Sequence, residues 1–334
     1  MSREALIRRL PKVELHVHLE GTLESAMAFE LAERNEVPLP FASPEAMRDA
    51  YSFTDLQSFL DIYYASCSVL RTEQDFYDLT WAYLEHAHAD NVRHVEPFFD
   101  PQTHTARGVA YAELVGGIRR ALADARTRFG ITSRLILCVL RDLTEHDAMT
   151  TLDEALRHGL IDGLGLDSGE VGNPPAKFVQ VFAKARNARL RVVAHAGEEG
   201  PPAYIEAALD VLGAERIDHG VRVLEDRDLT ARLVHDGVCL TVCPSSNVSL
   251  RVADSMESHP LRRMLDAGLR VTINSDDPAY FGGYLHDTFV RAAEALDLTD
   301  EQLVTLARNA IDGSFATAAR KDELRAELGL ATRG

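Results

Sequence analysis

Short runs of β-branched and apolar residues recur along the chain, and each run is followed by a stretch whose apolar positions have helical spacing. Eight of these runs predict β-strands, at residues 13–18, 92–98, 134–140, 161–167, 190–195, 216–219, 238–243 and 270–275. The helical stretches between them include residues 112–128, 147–158, 176–187, 204–212 and 226–236. Gly130 follows the first of these stretches and is the expected end of that helix.

This alternation of strands and helices predicts an α/β fold with a parallel sheet, and eight units favour a (β/α)8 TIM barrel. The alternative is an open doubly wound sheet. It is weakened because no glycine-rich phosphate loop follows an early strand. Barrels of this length commonly form one unit, so we expect a single domain over residues 1–334.

Two segments are longer than a barrel needs. Residues 19–91, about 70 in number, separate the first two predicted strands, far more than one crossover helix requires. An insertion after the first strand lies on the catalytic face of a barrel. It is therefore expected to be a helical insertion that forms a lid, or an additional packed helix pair. Residues 300–334 are predicted to form a C-terminal helical tail with a structural role.

Composition and charge exclude several partners. The formal net charge is −17, from 52 acidic and 35 basic residues, and such a surface repels phosphate backbones and anionic membranes. We therefore expect neither a nucleic acid nor a membrane as partner. The longest clean apolar run near a strand, residues 135–140, is far shorter than the ~20 residues of a membrane span. The N-terminus has no apolar signal region, so a cytoplasmic location is expected, and a homo-oligomer remains open.

The four cysteines are expected to be reduced. Their spacings are scattered, and a chain of this size without a secretory signal is typical of a reducing compartment. Cys239 and Cys243 lie in a strand-like run and are predicted to be core residues.

The strongest chemical signal is the pair His16 and His18 at the end of the first predicted strand. Side chains two residues apart on a strand point to the same face, so both imidazoles can bind one metal. His86 and His88 have the same spacing but lie in a helical run. On a helix, residues two apart diverge by about 200°, so we interpret that pair as exposed to solvent.

Further polar residues follow the later strands. His195 ends the fifth predicted strand and a short loop then presents Glu198; His219 ends the sixth strand; Asp276 and Asp277 follow the eighth. Each alone has a structural explanation, such as a helix cap, a core histidine or a loop carboxylate. Together they converge on the C-terminal mouth of a barrel, where histidine and carboxylate ligands favour a catalytic zinc ion with an open position.

One further motif is rejected as a separate zinc site. The spacing of His94 and Glu96 matches half of the cytidine-type deaminase signature, but the partner Pro-Cys-x-x-Cys is missing. Both are expected to be buried in the barrel interior.

These residues resemble the adenosine/adenine deaminases of the amidohydrolase superfamily. The resemblance rests on HVHLEG at 16–21, HAGE at 195–198, HG at 219–220 and SDDP at 275–278. The runs VRHVEPFFDPQTH at 92–104, EEGPP at 198–202 and DPAYFGGY at 277–284 are similar to the adenine deaminase branch.

The resemblance implies the zinc-dependent deamination of adenine to hypoxanthine and ammonia, in purine salvage. It implies one zinc ion per chain, held by His16, His18, His195 and Asp276. His219 would hold the attacking water and take its proton, and protonated Glu198 would donate to N1 of the purine. Asp277 would accept a hydrogen bond from the imidazole side of the base.

Several alternatives stay open. Nucleoside deaminases of this pattern usually have aspartate where this chain has Glu20, so the longer Glu20 could occupy the place of a ribose. Gly169 and Ser245 depart from the serine and leucine expected in the adenine branch, which leaves adenosine or an N6-substituted adenine as alternative substrates. A broader amidohydrolase with two bridged metals would need a lysine in 161–167, which is absent. The non-enzyme alternative is an inactive purine-binding barrel.

Overall fold

The structure is a computed structural model that describes residues 2–333; the two ends of the predicted domain, Met1 and Gly334, lie outside the described residues. The strands are β1 (Lys12–Glu14), β2 (Val92–Val95), β3 (Phe98–Phe99), β4 (Thr132–Ser133), β5 (Ile136–Leu140), β6 (Gly163–Asp167), β7 (Arg191–Ala196), β8 (Arg216–His219), β9 (Cys239–Val242) and β10 (Arg270–Ile273).

The α-helices include an N-terminal helix, the insertion helices and the helices that follow the strands. They are α1 (Arg3–Arg9), α2 (Ser25–Arg34), α3 (Pro44–Asp49), α4 (Leu56–Cys67), α5 (Glu73–Ala89), α6 (Pro101–Thr105), α7 (Tyr111–Phe129), α8 (Glu145–His158), α9 (Val179–Asn187), α10 (Pro202–Ala207), α11 (Arg227–Asp236), α12 (Pro244–Ser249), α13 (Leu261–Asp266), α14 (Pro278–Phe281), α15 (Leu285–Ala295), α16 (Asp300–Gly313) and α17 (Ala318–Ala331).

The strands pair in parallel throughout. Seven form one sheet in the order β10-β9-β8-β7-β6-β5-β3, and β1, β2 and β4 form a short second sheet. Isolated parallel bridges pair Val17 with Asp276 and His18 with Phe98. These bridges link the segment after β10 to residue 17, and residue 18 to β3, and the predicted α/β fold with parallel strands and intervening helices is confirmed.

Several predicted strands are shorter than expected, and one is divided. The second is divided at Pro97, which has no N–H to donate to a ladder. The third begins only at Ile136, because the backbone N–H of Leu135 donates to the Asp162 carboxylate instead of a strand carbonyl. The first ends at Glu14, because the N–H of Leu15 donates to the side chain of Asn274.

The outer helices pack on the strands with one apolar face. Helix α7 ends at Gly130, whose φ of 72° is left-handed, as predicted. Helix α16 packs on β10 and β1 through a buried apolar face, so the first half of the predicted tail is part of the barrel's outer layer. The residues of that face are Leu303, Leu306, Ala307, Ala310 and Ile311.

The long insertion between β1 and β2 contains α2 to α5. Helix α4 begins at the capping box of Asp55 and carries a buried apolar face. Its aromatic residues form a separate apolar cluster beside the mouth of the barrel, which includes Phe53, Phe59, Tyr63, Tyr280 and Phe281.

Two further predictions concern cysteines and membranes. Cys67, Cys138, Cys239 and Cys243 are all free and buried, so the core position predicted for the last two is confirmed. Across residues 2–333, we find no helix with the length and apolar character needed to span a membrane.

Candidate functional site

The structure brings all seven predicted site residues to the C-terminal mouth of the barrel. A narrow cavity of about 40 Å³ lies there, and helix α4 lines its outer side with Leu56, Phe59 and Leu60. All the site residues are buried. Those that line the cavity are His18, His195, Glu198, His219, Asp276 and Asp277. His16 lies beside them, with its ring 4.6 Å from the rings of both His195 and His219.

Four of these side chains point their ligand atoms at one another. Asp276 Oδ1 lies 3.1 Å from His16 Nε2 and 3.6 Å from His18 Nε2. His18 Nε2 lies 3.3 Å from His195 Nε2. Ligands about 2.0–2.2 Å from one tetrahedral ion lie roughly 3.3 Å from each other, so these separations fit a shared metal ion.

The hydrogen bonds on the far side of two imidazoles set their tautomers. His195 Nδ1 lies 3.1 Å from the carbonyl oxygen of Leu166, which can only accept, so this nitrogen carries the hydrogen. Thr241 donates its hydroxyl hydrogen to Asp218, so it accepts from His16 Nδ1, 2.9 Å away. Both Nε2 atoms therefore present a free lone pair to the centre, as metal ligands require.

An unsatisfied buried atom gives a second test of whether these residues fit a metal ion. His16 Nε2 is buried and makes no hydrogen bond, a costly state for a polar atom without a further partner. Burial lowers the pKa of His18 to about 4 and that of His195 well below its usual range, so both are neutral. Three imidazole nitrogens and one carboxylate suit a catalytic zinc ion. The site is a candidate metal centre.

His219 is close enough to be considered as an alternative ligand. One ligand atom from each of His16, His195, His219 and Asp276 lies within 4.8 Å of the others. However, His219 Nε2 is 3.8 Å from Asp276 Oδ2 and 3.5 Å from Glu198 Oε2. The carboxylate nearer to His219 Nε2 is therefore that of Glu198. His18 Nε2, in contrast, lies 3.3 Å from His195 Nε2 and 3.6 Å from Asp276 Oδ1.

Glu198 and His219 form an acid and base pair beside the centre. Burial raises the pKa of Glu198 well above its usual range, and the negative charge of Asp276 adds to this effect. Burial lowers the pKa of His219 to about 3, with His16 as the next cause. These shifts favour a protonated carboxyl at Glu198 and a neutral imidazole at His219.

The pKa values of Asp276 and Asp277 are shifted in opposite directions. Burial alone would raise the pKa of Asp276, but His16 and the other imidazoles hold it well below its usual range. Burial and the Asp276 charge raise the pKa of Asp277. Gly21 lies against the Asp277 carboxyl, where a Cβ would overlap its oxygen, so only glycine fits in HVHLEG at this position.

The backbone is left-handed at two predicted site residues that are not glycine. The φ angles are 62° at His219 and 65° at Asp276. Such angles are uncommon for these residues and cluster at functional sites. The local strain aims both side chains into the cavity.

Sequence reasoning missed the residue that orders the Glu198 loop. The Glu170 carboxylate accepts hydrogen bonds at 2.7–3.0 Å from the backbone N–H groups of residues 197–200. In the sequence, the available signal was an acidic residue shortly after the fourth predicted strand, which corresponds to β6. Sequence reasoning also missed Asn247, whose Nδ2 lies 3.4 Å from both His219 Nδ1 and Glu198 Oε1.

Four residues that the sequence analysis excluded from the site lie outside it in the structure. His86 and His88 are exposed on α5, where they stack on aromatic rings. His94 and Glu96 are buried in the barrel interior, 3.0 Å apart, and Glu96 also accepts from the guanidinium of Arg216.

Glu20 does not reach the cavity. Its Oε1 accepts from the backbone N–H of Asp100 at 3.0 Å and lies 2.9 Å from His104 Nε2. Because Glu20 is not among the residues that line the cavity, direct exclusion of a ribose by its length is not supported. Its neighbour Asp100 lines the cavity instead.

Comparison with known proteins agrees with this site. The family model described as Adenosine deaminase matches residues 11–330 of the chain. The chain belongs to the adenosine deaminase family. The resemblance seen in the four sequence motifs is thereby confirmed.

Relatives within this family are similar over almost the whole chain. An adenine deaminase from Sphingopyxis alaskensis is 59% identical over 96% of this chain and 94% of its own length. The crystal structure of an adenine deaminase from Arthrobacter aurescens has a TM-score of 0.96 and 52% identity, covering 97% of this chain and 100% of that one. An amidohydrolase structure from Burkholderia ambifaria, with bound zinc, has a TM-score of 0.90 and 30% identity, covering 99% and 94%.

Proposed function

We propose that this protein deaminates adenine hydrolytically to hypoxanthine and ammonia, with one zinc ion per chain. The observation that carries the proposal is a proton-donating Glu198 beside a neutral His219, next to converging ligand atoms. The similarity to adenine deaminases of two organisms supports adenine as the substrate.

We assign the zinc ion to His16, His18, His195 and Asp276. The zinc-containing amidohydrolase relative supports this choice of metal. Bound there, the ion would act as a Lewis acid that lowers the pKa of a water molecule toward neutrality.

The chain's own residues then handle the protons. His219 Nε2 takes a proton from the water as its oxygen bonds to C6 of the purine. Glu198 donates its proton to N1, which makes C6 more electrophilic. His219 returns its proton to the exocyclic nitrogen, and ammonia leaves as the bond from C6 to that nitrogen breaks. The proton of the C6 hydroxyl goes back to Glu198 as the C6 carbonyl forms. The atoms balance as adenine plus water giving hypoxanthine plus ammonia.

Asp277 binds the imidazole side of the purine. Burial and the charge of Asp276 raise its pKa, which favours the protonated carboxyl, so it can donate to N7 as well as accept a hydrogen bond, the role that the resemblance implies. Its Oδ1 is buried and makes no hydrogen bond within the chain, so it is free for the substrate.

Helix α4 of the insertion acts as a lid over a single barrel domain. The cavity of about 40 Å³ has room for only a few waters, so a purine enters only when α4 moves. A hydrogen bond of 3.3 Å joins Tyr64 on α4 to Ser168 after β6 and holds the lid down. Hydrogen exchange in residues 56–67 should slow when hypoxanthine is added; unchanged exchange would contradict a lid.

N6-substituted adenines are a second candidate substrate class. Gly169 has open space where a serine side chain would project. A cleft of about 330 Å³ beside it adjoins the cavity and shares Leu56, Leu60 and Tyr64 with it. Adenosine, a broader amidohydrolase role and an inactive purine-binding barrel lack such a supporting observation. The free, buried cysteines fit a cytoplasmic enzyme.

Isotope incorporation and one variant test the proposal. Adenine incubated in ¹⁸O-labelled water should give hypoxanthine with one ¹⁸O atom and one ammonia per base. Glu198→Gln should lower kcat by roughly 10²–10⁴-fold, because it cannot donate a proton, while metal content stays unchanged. Unlabelled product, or full activity of the variant, would overturn the proposed roles.

A further inference from the structure

The run 92–104, which is similar to the adenine deaminase branch, contains a carboxylate with no role in the chemistry described above. Asp100 is 3% exposed and lies at the N-terminus of α6, directly after β3. It lines the same cavity as Glu198 and Asp277. Its Oδ1 is buried and receives no hydrogen bond from an N–H or O–H donor among the described residues. Its acidic neighbour is Asp167, and burial together with the charge of Asp167 raises the pKa of Asp100 well above its usual range. The two acids can therefore hold one proton between them and still leave an acceptor oxygen for a ligand.

Asp100 is held in place from two sides. Its backbone N–H donates to Glu20, and the Tyr63 hydroxyl lies 3.5 Å from its Oδ2. Pro101 begins the following helix with a fixed φ. These contacts leave Oδ1 as the atom available to a ligand.

Asp100 lies at the opposite end of the cavity from the reacting groups. The His18 ring marks the boundary, because its Nε2 faces Asp276 whereas its Nδ1 is 3.6 Å from Asp167. Oxygens of Asp100 and Asp167 and a ring nitrogen of His18 lie within 4.8 Å of one another. The cavity thus has a second polar end, formed by Asp100 and Asp167.

A purine has matching polar edges. With N1 and C6 directed at Glu198 and the metal ligands, its opposite edge, which carries N3 and N9, is directed at the second polar end. In the free base N9 carries a hydrogen, whereas in a nucleoside N9 is bonded to the sugar.

We infer that Asp100 selects the free base over nucleosides by accepting a hydrogen bond from N9–H at its Oδ1. This inference rests on the proposed deaminase function and names the group that sets its substrate class. A substrate without N9–H leaves Oδ1 buried and unpaired. Sites built to hydrogen-bond a substrate N–H reject analogues that lack it by as much as roughly 10⁴–10⁵-fold. The inference also gives Glu20 an indirect role in selectivity, since Glu20 holds the Asp100 backbone.

The test compares adenine with 9-methyladenine, which cannot donate from N9, on the wild type and Asp100→Ala. The kcat/KM ratio of adenine to 9-methyladenine should exceed about 10³ in the wild type and fall at least 30-fold in the variant. Asp100→Asn keeps an acceptor oxygen and should retain part of the discrimination. Asp142→Ala removes an exposed carboxylate that lines the adjoining cleft, and it should leave the ratio unchanged.

An unchanged ratio in Asp100→Ala, or equal losses on both substrates, would overturn the inference. Dissociation constants of hypoxanthine and 9-methylhypoxanthine repeat the comparison without turnover. They should show the same loss of discrimination in Asp100→Ala, and discrimination equal to that of the wild type would contradict it. If the wild type releases no ammonia from adenine, the proposed function is wrong, while the binding comparison still decides the role of Asp100.

Discussion

His16 Nδ1 lies 2.9 Å from Thr241 Oγ1, and this contact fixes which nitrogen of His16 faces the metal centre. Thr241 donates to Asp218 at 2.8 Å, so it can only accept from His16. Thr241 and Asp218 lie on the neighbouring strands β9 and β8, His16 follows β1, and all three are fully buried. Side chains from other strands thereby fix the orientation of the His16 ring, which the strand that carries His16 does not fix.

Thr241→Val should weaken metal binding by about 10–100-fold, because the outer hydrogen bond that orients His16 is lost. The shape of the side chain is kept, so the fold is retained. Metal affinity can be measured by competition with a chromogenic chelator. The control is Thr80→Val, which removes a buried hydroxyl of α5 that bonds only to its own helix. Equal affinities of both variants would contradict an orienting role for Thr241.

Glu170→Gln should lower both stability and activity. The carboxylate accepts four backbone N–H groups, and an amide would direct its own N–H hydrogens at some of them. We expect a loss of about 2–4 kcal/mol in the free energy of unfolding, and a lower kcat because Glu198 is displaced. Urea unfolding and ammonia release measure the two effects. Glu199→Gln, a change of the same type on a half-buried neighbour, should cost little; an equal loss there would rule out a special role for Glu170.

Lys12 predicts a pH dependence of stability away from the site. Its ammonium is buried and donates to backbone carbonyls of Ile7 and Asp90, and burial lowers its pKa from 10.5 to about 8. Between these two pH values the unfolded chain binds a proton that the folded chain has lost. The free energy of unfolding therefore rises with pH, by at most about 3 kcal/mol, and is flat with respect to Lys12 below pH 8. Urea unfolding of the wild type and Lys12→Met should differ in slope between pH 8 and 10, and identical slopes would refute the assignment.

Much of the barrel and of the site follows from local pattern. The alternation of strand and helix, the same-face placement of His16 and His18, and the left-handed end at Gly130 are all set by residues near in sequence. The early end of the first predicted strand and the late start of the third are not, because they depend on Asn274 and Asp162 reaching the backbone from distant segments.

The supporting residues of the site could not be predicted from the sequence for the same reason. Glu170, Thr241 and Asp218 act on residues 23 to 225 positions away, through contacts that only the folded arrangement of strands creates. In the sequence, each of them is only a polar residue near a predicted strand, and such residues are common in proteins where they have no catalytic function. Glu20 shows the same limit: its length was visible in the sequence, but its partners His104 and Asp100 were not.

Ammonia release from adenine and from adenosine, with the enzyme as isolated and after treatment with a chelator, tests the central claim most directly. We predict turnover of adenine at a far higher kcat/KM than adenosine, loss of that activity after chelation, and recovery on addition of one equivalent of zinc. Equal or faster turnover of adenosine would contradict the choice of substrate. Full activity in the chelated, metal-free enzyme would contradict the metal centre of His16, His18, His195 and Asp276.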